Sequence, residues 1–364
     1  MTLVPLALPP GVYRNGTDMQ AANRWRDASL VRWTDGTMQP VGGWLTRSTM
    51  TDKPLRGAVA WRDLSGNRWY AAGSYAGLFV STAGNTVYEI TPTSYTAGDK
   101  DASFNAGYGG GFYGTAVYGI PRPDIGTYDP ATTWSLDNWG EYLVACSDSD
   151  GRLVEWQLNT ANDAAVITNA PTSCSGLVVT EERFLFALGA GGNGRKVQWC
   201  DREANTVWTP SATNEAGDIE LQTSGQIMLG IRTRGQTLIL TDQDAHTATY
   251  QGPPFVYGFE RVGSSCGASS RLCAAAVDAG VFWMGSRGFF VYSGGAVREV
   301  PCEVSDYVFS DLNNAQRSKI AAVSNAKFSE VWWFYSSQSS IENDRYVAYN
   351  YKENHWSTGS ISRT

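Results

Sequence analysis

Two histidines stand among 364 residues, His246 in TDQDAHTATY and His355 in KENHW, and imidazole is the side chain best suited to moving a proton near neutral pH. Each falls in or beside an expected turn, outside HExxH, GxSxG or any Cys/His grouping. Both are therefore read as solvent-exposed turn residues. The six cysteines (Cys146, Cys174, Cys200, Cys266, Cys273 and Cys302) have no CxxC spacing and no histidine partners, so neither a zinc site nor a redox dithiol is indicated. They are read as buried free thiols of a protein made in a reducing cytosol. Asp148-Ser149-Asp150-Gly151 opens like a calcium loop, but the later glutamate that completes such a loop is missing. An Asp-Gly hairpin turn accounts for it, and Asp242 and Asp244 take the same reading. Glycoside cleavage requires two carboxylates facing one cavity; Asp63, Asp137, Glu181 and Glu182 are instead expected in solvated loops. The glycine runs at 109–111 and 189–194 are not followed by Lys-Ser/Thr, so they are not phosphate loops. No catalytic group, cofactor, metal or small-molecule substrate is expected, and the chain is read as not an enzyme.

The elements that would position any such residue repeat along the chain. Alternating aromatic and aliphatic strands, a short Gly/Asn/Asp turn and a second strand ending in an aromatic recur in GLFVSTAGNTVYEI, EYLVACSDSDGRLVEW, RFLFALGAGGNGRKVQW, GVFWMGSRGFFVYSGGAVREV and EVWWFYSSQSSIENDRYVAYNYKENHW, and more weakly in TLILTDQDAHTATY. Hairpins at this spacing point to an all-β chain, a β-propeller of about six blades. The expected blades cover 55–90, 134–159, 174–210, 219–261, 270–300 and 321–356, within a propeller domain of 55–364. The aromatic clusters (Trp332, Trp333, Tyr335; Phe282, Trp283; Phe289, Phe290) are read as blade core. SDYVFSDLNNAQRSKI carries apolar residues near helical spacing, and Asn313 or Asn314 is placed to start a second short turn.

Two regions escape the repeat. Residues 1–54 form an N-terminal arm with Trp25, Trp33 and Trp44, whose prolines and glycines favour extended structure. A TDG turn at 34–36 predicts a hairpin returning through Met38 and Val41. The arm either closes the ring by lending a strand to the last blade or packs on a neighbouring subunit. Residues 91–133, rich in Gly, Tyr and Pro, show no sustained period and read as a long excursion from the ring. The sequence ends eight residues after Trp356 in mid-pattern, so either the N-terminal arm closes the ring or further sequence belongs to a propeller left incomplete at its C-terminus.

A net charge of −7 argues against tight nucleic-acid binding, which depends on Lys and Arg displacing counterions; an acidic wall still lets a polyanion slide without sticking. MTLVPLALPPGVYRNG lacks a basic n-region and is broken by prolines, so it does not read as a signal peptide. No apolar run is long enough to span a bilayer.

LPPGVYRNGTDMQAANRWRDASLVRWTDGTMQPVGGW near the start, with GVFWMGSRGFFVYSGGAVREVPCEVSDYVFSDLNNAQRSKI and EVWWFYSSQSSIENDRYVAYNYKENHWSTG near the end, resembles structural proteins of tailed bacteriophages. The nearest family is the tail nozzle (tail tubular protein B-like) of short-tailed phages, related to packaged-DNA stabilisation proteins. These stretches cover about a third of the chain and carry no catalytic motif. The resemblance implies a virion protein made in the host bacterial cytoplasm, a hexamer below the portal and adaptor that encloses and gates the DNA exit channel. Its implied partners are copies of itself in a six-fold ring, the tail adaptor protein, tail fibres or spikes, and viral DNA passing through without tight binding. The alternative is a receptor- or glycan-binding tail-tip propeller. Subunit contacts are expected at Trp25, Arg26, Arg32, Trp33 and Trp44 of the arm and at Tyr108, Phe112, Tyr113 and Tyr118 of the excursion, because a head-to-tail ring needs two different surfaces on each copy.

Overall fold

Apolar-rich runs broken every few residues by Gly, Asn or Asp make short antiparallel strands, several of them buried on both faces. In the computed structural model, which describes residues 8–46, 49–104 and 128–363, this pattern gives six four-stranded sheets, each a meander of consecutive strands. Blade one is Leu55–Arg62, Arg68–Ser74, Gly77–Thr82 and Val87–Glu89. Blade two is Trp134–Trp139, Tyr142–Ser147, Leu153–Trp156 and Ala165–Val166; blade three is Gly176–Val179, Leu185–Leu188, Lys196–Trp199 and Gly217–Glu220. Blade four is Ile227–Thr233, Gln236–Thr241, Asp244–Gly252 and Val256–Ser264. Blade five is Ala274–Val277, Gly280–Met284, Phe289–Ser293 and Ala296–Val300, and blade six is Ala321–Asn325, Glu330–Tyr335, Asn343–Asn350 and His355–Arg363. The first strand of each blade is innermost and touches the first strand of the next, from blade one round to blade six. The chain is a six-bladed β-propeller.

Two outer strands differ from the sequence reading. Ile219 closes blade three rather than opening blade four, and blade two takes its outer strand from Ala165–Val166, beyond residue 159. These two outer strands are short and have no buried residue, so they carry little alternation to read. The connector between blades five and six follows its reading. An α-helix spans Ser305–Asp311, and the Asn313 side chain accepts the Ala315 N–H to start a 3-10 turn at Asn314–Lys319.

Interlocked aromatic and aliphatic side chains hold the blades together. Trp61, Leu78 and Val80 of blade one share a buried cluster with Trp134, Leu143 and Trp156 of blade two. Val144 and Leu153 meet Leu177, Leu185 and Trp208 between blades two and three, and Phe186 and Trp199 meet Ile239 and Tyr257 between three and four. Blades four, five and six share one cluster in which Phe289 lies 4.8 Å from Trp333 and 4.7 Å from Trp356, centroid to centroid. Of the aromatics read as blade core, Trp332, Trp333, Tyr335, Phe282, Trp283 and Phe289 are buried and Phe290 is half-buried. Close approach of inner strands needs glycine: a Cβ on Gly57, at φ +146°, would lie 2.4 Å from the Trp134 carbonyl oxygen.

The arm does not lend a strand. Blade six has four strands of its own, and the arm packs beside it as the hairpin Val31–Thr34 and Thr37–Pro40, turned by Asp35 and Gly36 at positive φ. The Val12 N–H donates to the Trp356 carbonyl at 2.8 Å, Arg24 pairs with Glu303, and Trp33 is 2% exposed. Arg32 forms a buried ion pair with Glu330 at 3.1 Å and lies 3.6 Å over the Phe328 ring.

The histidine reading is corrected. Both rings are buried. His246 sits in the third strand of blade four with Nε2 3.1 Å from Asp244 Oδ1, a carboxylate that also accepts from the Thr223 and Thr241 hydroxyls. His355 opens the last strand under Trp33, ring to ring at 5.9 Å, and neither of its nitrogens has a hydrogen-bond partner. Cover by the arm is a tertiary fact with no local trace in KENHW.

Candidate functional site: the central cavity and the junction of blades one and six

Six inner strands converge on a cavity of about 710 Å³. Leu136, Leu177, Leu229, Leu272 and Phe334 supply apolar wall, and Arg56, Asp137, Arg271 and Lys319 supply charge. Each charge is answered within the fold, as burial of ions demands. Arg56 pairs with Glu342 at 2.5 Å, and Lys319, with no side-chain exposure, pairs with Asp101 and donates to the Ile341 carbonyl at 2.7 Å. Asp137 accepts from Arg232 at 2.7 Å and from the Val179 N–H at 3.0 Å. Arg271 approaches Asp148 at 3.5 Å and donates to the Met228 carbonyl at 3.2 Å.

Burial pushes the Asp137 carboxyl above its ordinary range, against the opposing pull of Arg232. Asp148 is pushed up for the same reason, with Arg271 and Thr133 opposing. Asp137 therefore leaves the solvated loop in which the sequence reading placed it; it lies in the innermost strand of blade two. Asp63 is likewise buried, accepting the Trp69 indole N–H at 3.0 Å. Among the described residues, no group of three or more His, Cys, Asp or Glu is placed to hold a metal ion, and no helix is long and apolar enough to cross a membrane. The cysteines are free; burial pushes the Cys174, Cys200 and Cys302 thiols up to about 12.

The cavity is bounded by one junction unlike the rest. Among the described residues, blades six and one share no buried apolar cluster. Trp332 and Tyr346 of blade six stack at 4.5 Å and are covered by Val41 of the arm, and Trp44 meets Trp332 edge-on at 6.3 Å. The two blades are instead joined by the Arg56–Glu342 pair, and the stem of the excursion adds Asp101 to Lys319 and the Ala102 backbone to the Gln316 amide. An open groove of about 1090 Å³ remains on the blade-one side, walled by Leu45, Met50, Leu55, Ala60 and Tyr70.

The expected contact residues divide accordingly. Arg32 and Trp33 are buried within the chain, where they bind the arm to blade six. Trp25 is half-buried with its ring 6.4 Å from Trp33, and Arg26 pairs with Asp18 at 2.9 Å. Trp44 is 52% exposed at the junction. Tyr108, Phe112, Tyr113 and Tyr118 lie outside the described residues. Sequence reasoning missed Arg56, Arg271, Lys319, Glu330 and Glu342. The available signal was an arginine at an inward position of an alternating strand, as in LRGAVAWR.

No known family description matches the chain, and no curated protein matches it in sequence. Solved structures share its architecture at low identity. A streptogramin B lyase is 8% identical over 86% of this chain and 85% of its own, with a TM-score of 0.49. Virginiamycin B lyase from Staphylococcus aureus is 8% identical over 85% of each chain, also at 0.49, and the CNH domain of AfRom2 is 13% identical over 62% and 72% at 0.38. At these values they assign no activity to this chain. They do correct one expectation: propellers of this general shape include lyases, so the lack of a short catalytic motif is no ground for reading the chain as not an enzyme.

Proposed function

We propose that the chain is a structural virion protein of the tail-nozzle kind, a propeller subunit that joins copies of itself in a ring below the portal and adaptor and helps to enclose and gate the DNA exit channel of a short-tailed bacteriophage. The observation that carries this reading is the placement of the stretches that resemble such proteins. They lie at opposite ends of the sequence, yet the arm, the helical connector and blade six form one body through Val12–Trp356, Arg24–Glu303 and Arg32–Glu330. A net charge of −7 suits a wall along which a polyanion slides.

The 710 Å³ cavity is not the DNA path, since the major groove of a duplex is by itself about 12 Å wide and about 8.5 Å deep. In this reading DNA passes through the lumen between subunits, and the tail adaptor and the fibres or spikes meet the ring from outside. Electron cryo-microscopy of virions carrying a tagged copy of the chain tests it. A ring of copies below the portal is expected; absence of the chain from purified particles, or its presence there only as a peripheral monomer, overturns the reading.

A further inference from the structure

The inner strands stand side by side around the axis, and the residue types that line the central cavity sort along it. Near the start of three consecutive inner strands stand cations: Arg271 ahead of blade five, Lys319 ahead of blade six and Arg56 in blade one. Leu136, Leu177, Leu229 and Ile231 continue the wall in apolar residues, with Asp137 following in blade two. Beyond them the inner strands of blades four, five and six run on into a second, open cavity of about 960 Å³, lined by Arg232, Thr233, Val277 and Ser324. The Asp137–Arg232 pair, at 2.7 Å, therefore bridges an inner chamber and its mouth.

The inner chamber is biased in charge. Three cations and one carboxylate line it, whereas Glu342, Asp101 and Asp148, which answer the cations, are not part of its wall. Arg271 is the least satisfied of the three. It reaches from blade five to the Asp148 turn of blade two, the opposite blade in a ring of six, and its Nε remains 3.5 Å from the carboxylate. Nη1 donates to the Ile227 and Met228 carbonyls, and among the described residues Nη2 donates to nothing. A guanidinium held half-buried with a spare donor favours a ligand that accepts from it, and its planar fork matches a carboxylate.

We infer that the axial chamber binds a small amphipathic carboxylate, its head group on Arg271 and its hydrocarbon body along Leu136, Leu177, Leu229 and Phe334, with entry through the mouth past Arg232. The cavity volume of about 710 Å³ falls in the usual range of small-molecule sites, about 300–1,000 Å³, which combine apolar wall with a few polar groups. A phosphate fits less well, because it calls for several donors and Arg56 and Lys319 are already committed to Glu342 and Asp101. One free donor beside a long apolar wall suits a single carboxylate. The site lies inside one subunit, so it goes beyond the ring reading and holds whether or not copies form a ring.

The test is isothermal titration calorimetry of the full chain with octanoate, hexanoate and octanol, on wild type and on Arg271→Gln. Wild type is expected to take up one octanoate per chain, more tightly than octanol, and to bind hexanoate roughly fifteenfold more weakly for the two buried methylenes lost. In Arg271→Gln the affinity for octanoate should fall at least about tenfold, as for loss of a hydrogen bond from a charged group, while that for octanol stays at its wild-type value. Undiminished octanoate binding by an Arg271→Gln protein of wild-type melting temperature overturns the inference. Should that variant unfold because Asp148 loses its partner, the wild-type series still decides: no saturable octanoate binding, no preference over octanol, no dependence on chain length, or uptake of many molecules per chain each overturns it.

Discussion

The junction between blades three and four and the junction between blades six and one are built on opposite principles. At the first, Phe186, Trp199 and Tyr257 interlock with rings 4.8 to 5.9 Å apart, and every residue of the inner strand Gly176–Val179 is buried. At the second, the inner strand Ala321–Asn325 has no fully buried residue, and ion pairs and a covering arm replace the apolar seam. Apolar interdigitation stabilises in proportion to area removed from water. A buried ion pair gains little net, because desolvation offsets the Coulomb attraction. A propeller built from consecutive meanders has one junction where its first and last blades meet, and among the described residues that junction is held by ion pairs rather than by an apolar seam.

Substitutions that break this contrast should fall in order of burial. Trp333→Ala removes a ring that is 0% exposed, and whose indole N–H donates to the Cys273 carbonyl at 2.9 Å. A loss of about 3–5 kcal/mol is expected in urea denaturation. Lys319→Met strands Asp101 beside a side chain with no exposure and leaves Glu342 to Arg56 alone, with an expected cost of about 3 kcal/mol. Val323→Ala, on the open side of the junction, should change stability by less than about 0.5 kcal/mol. A Val323→Ala loss as large as that at Trp333 would show that the junction is packed like the others.

Acid should loosen the arm before the blades. Burial holds the folded-state pKa of His355 below its ordinary 6.5, with Arg24 acting in the same direction and Glu353 and Glu303 opposing. Its contribution to stability is full above pH 6.5 and is lost as pH falls through the folded-state value, because the unfolded chain takes up the proton first. His355→Phe should therefore lose less stability than wild type between pH 7 and pH 5, read by denaturation at each pH. Asp137, Asp148 and Glu330 have the opposite sign. Burial raises them, so their contribution is full below the ordinary carboxylate range and falls as pH rises through the raised values. Asp137→Asn should flatten that part of the profile. The smallest effect expected is at the thiols, because Cys174, Cys200 and Cys302 are pushed up to about 12. Iodoacetamide at pH 8 should leave them unmodified in the folded protein, and rapid labelling would show that the blades open.

What was legible in the sequence follows from what local apolar patterning encodes. Short continuous apolar runs such as GLFVST and EVWWFY report strands buried on both faces, and each marks such a strand in the structure. The TDG turn and the Asn313 cap are local chemistry and were also legible. Burial of polar residues was not, because it depends on partners far along the chain. Arg32 finds Glu330 some three hundred residues away, Asp137 finds Arg232, and His355 is covered by Gly11 and Trp33. A charged or imidazole side chain next to turn residues reads as solvated until its partner is seen.

The most direct test of the weak junction is native-state hydrogen exchange on the full chain, comparing the inner strands Leu55–Arg62 and Ala321–Asn325 with Gly176–Val179 and Ile227–Thr233. Exchange through local opening is expected in the first pair well before the second, which should exchange only through global unfolding. Equal protection of all four strands would contradict an ion-paired junction and, with it, the accessible groove beside it.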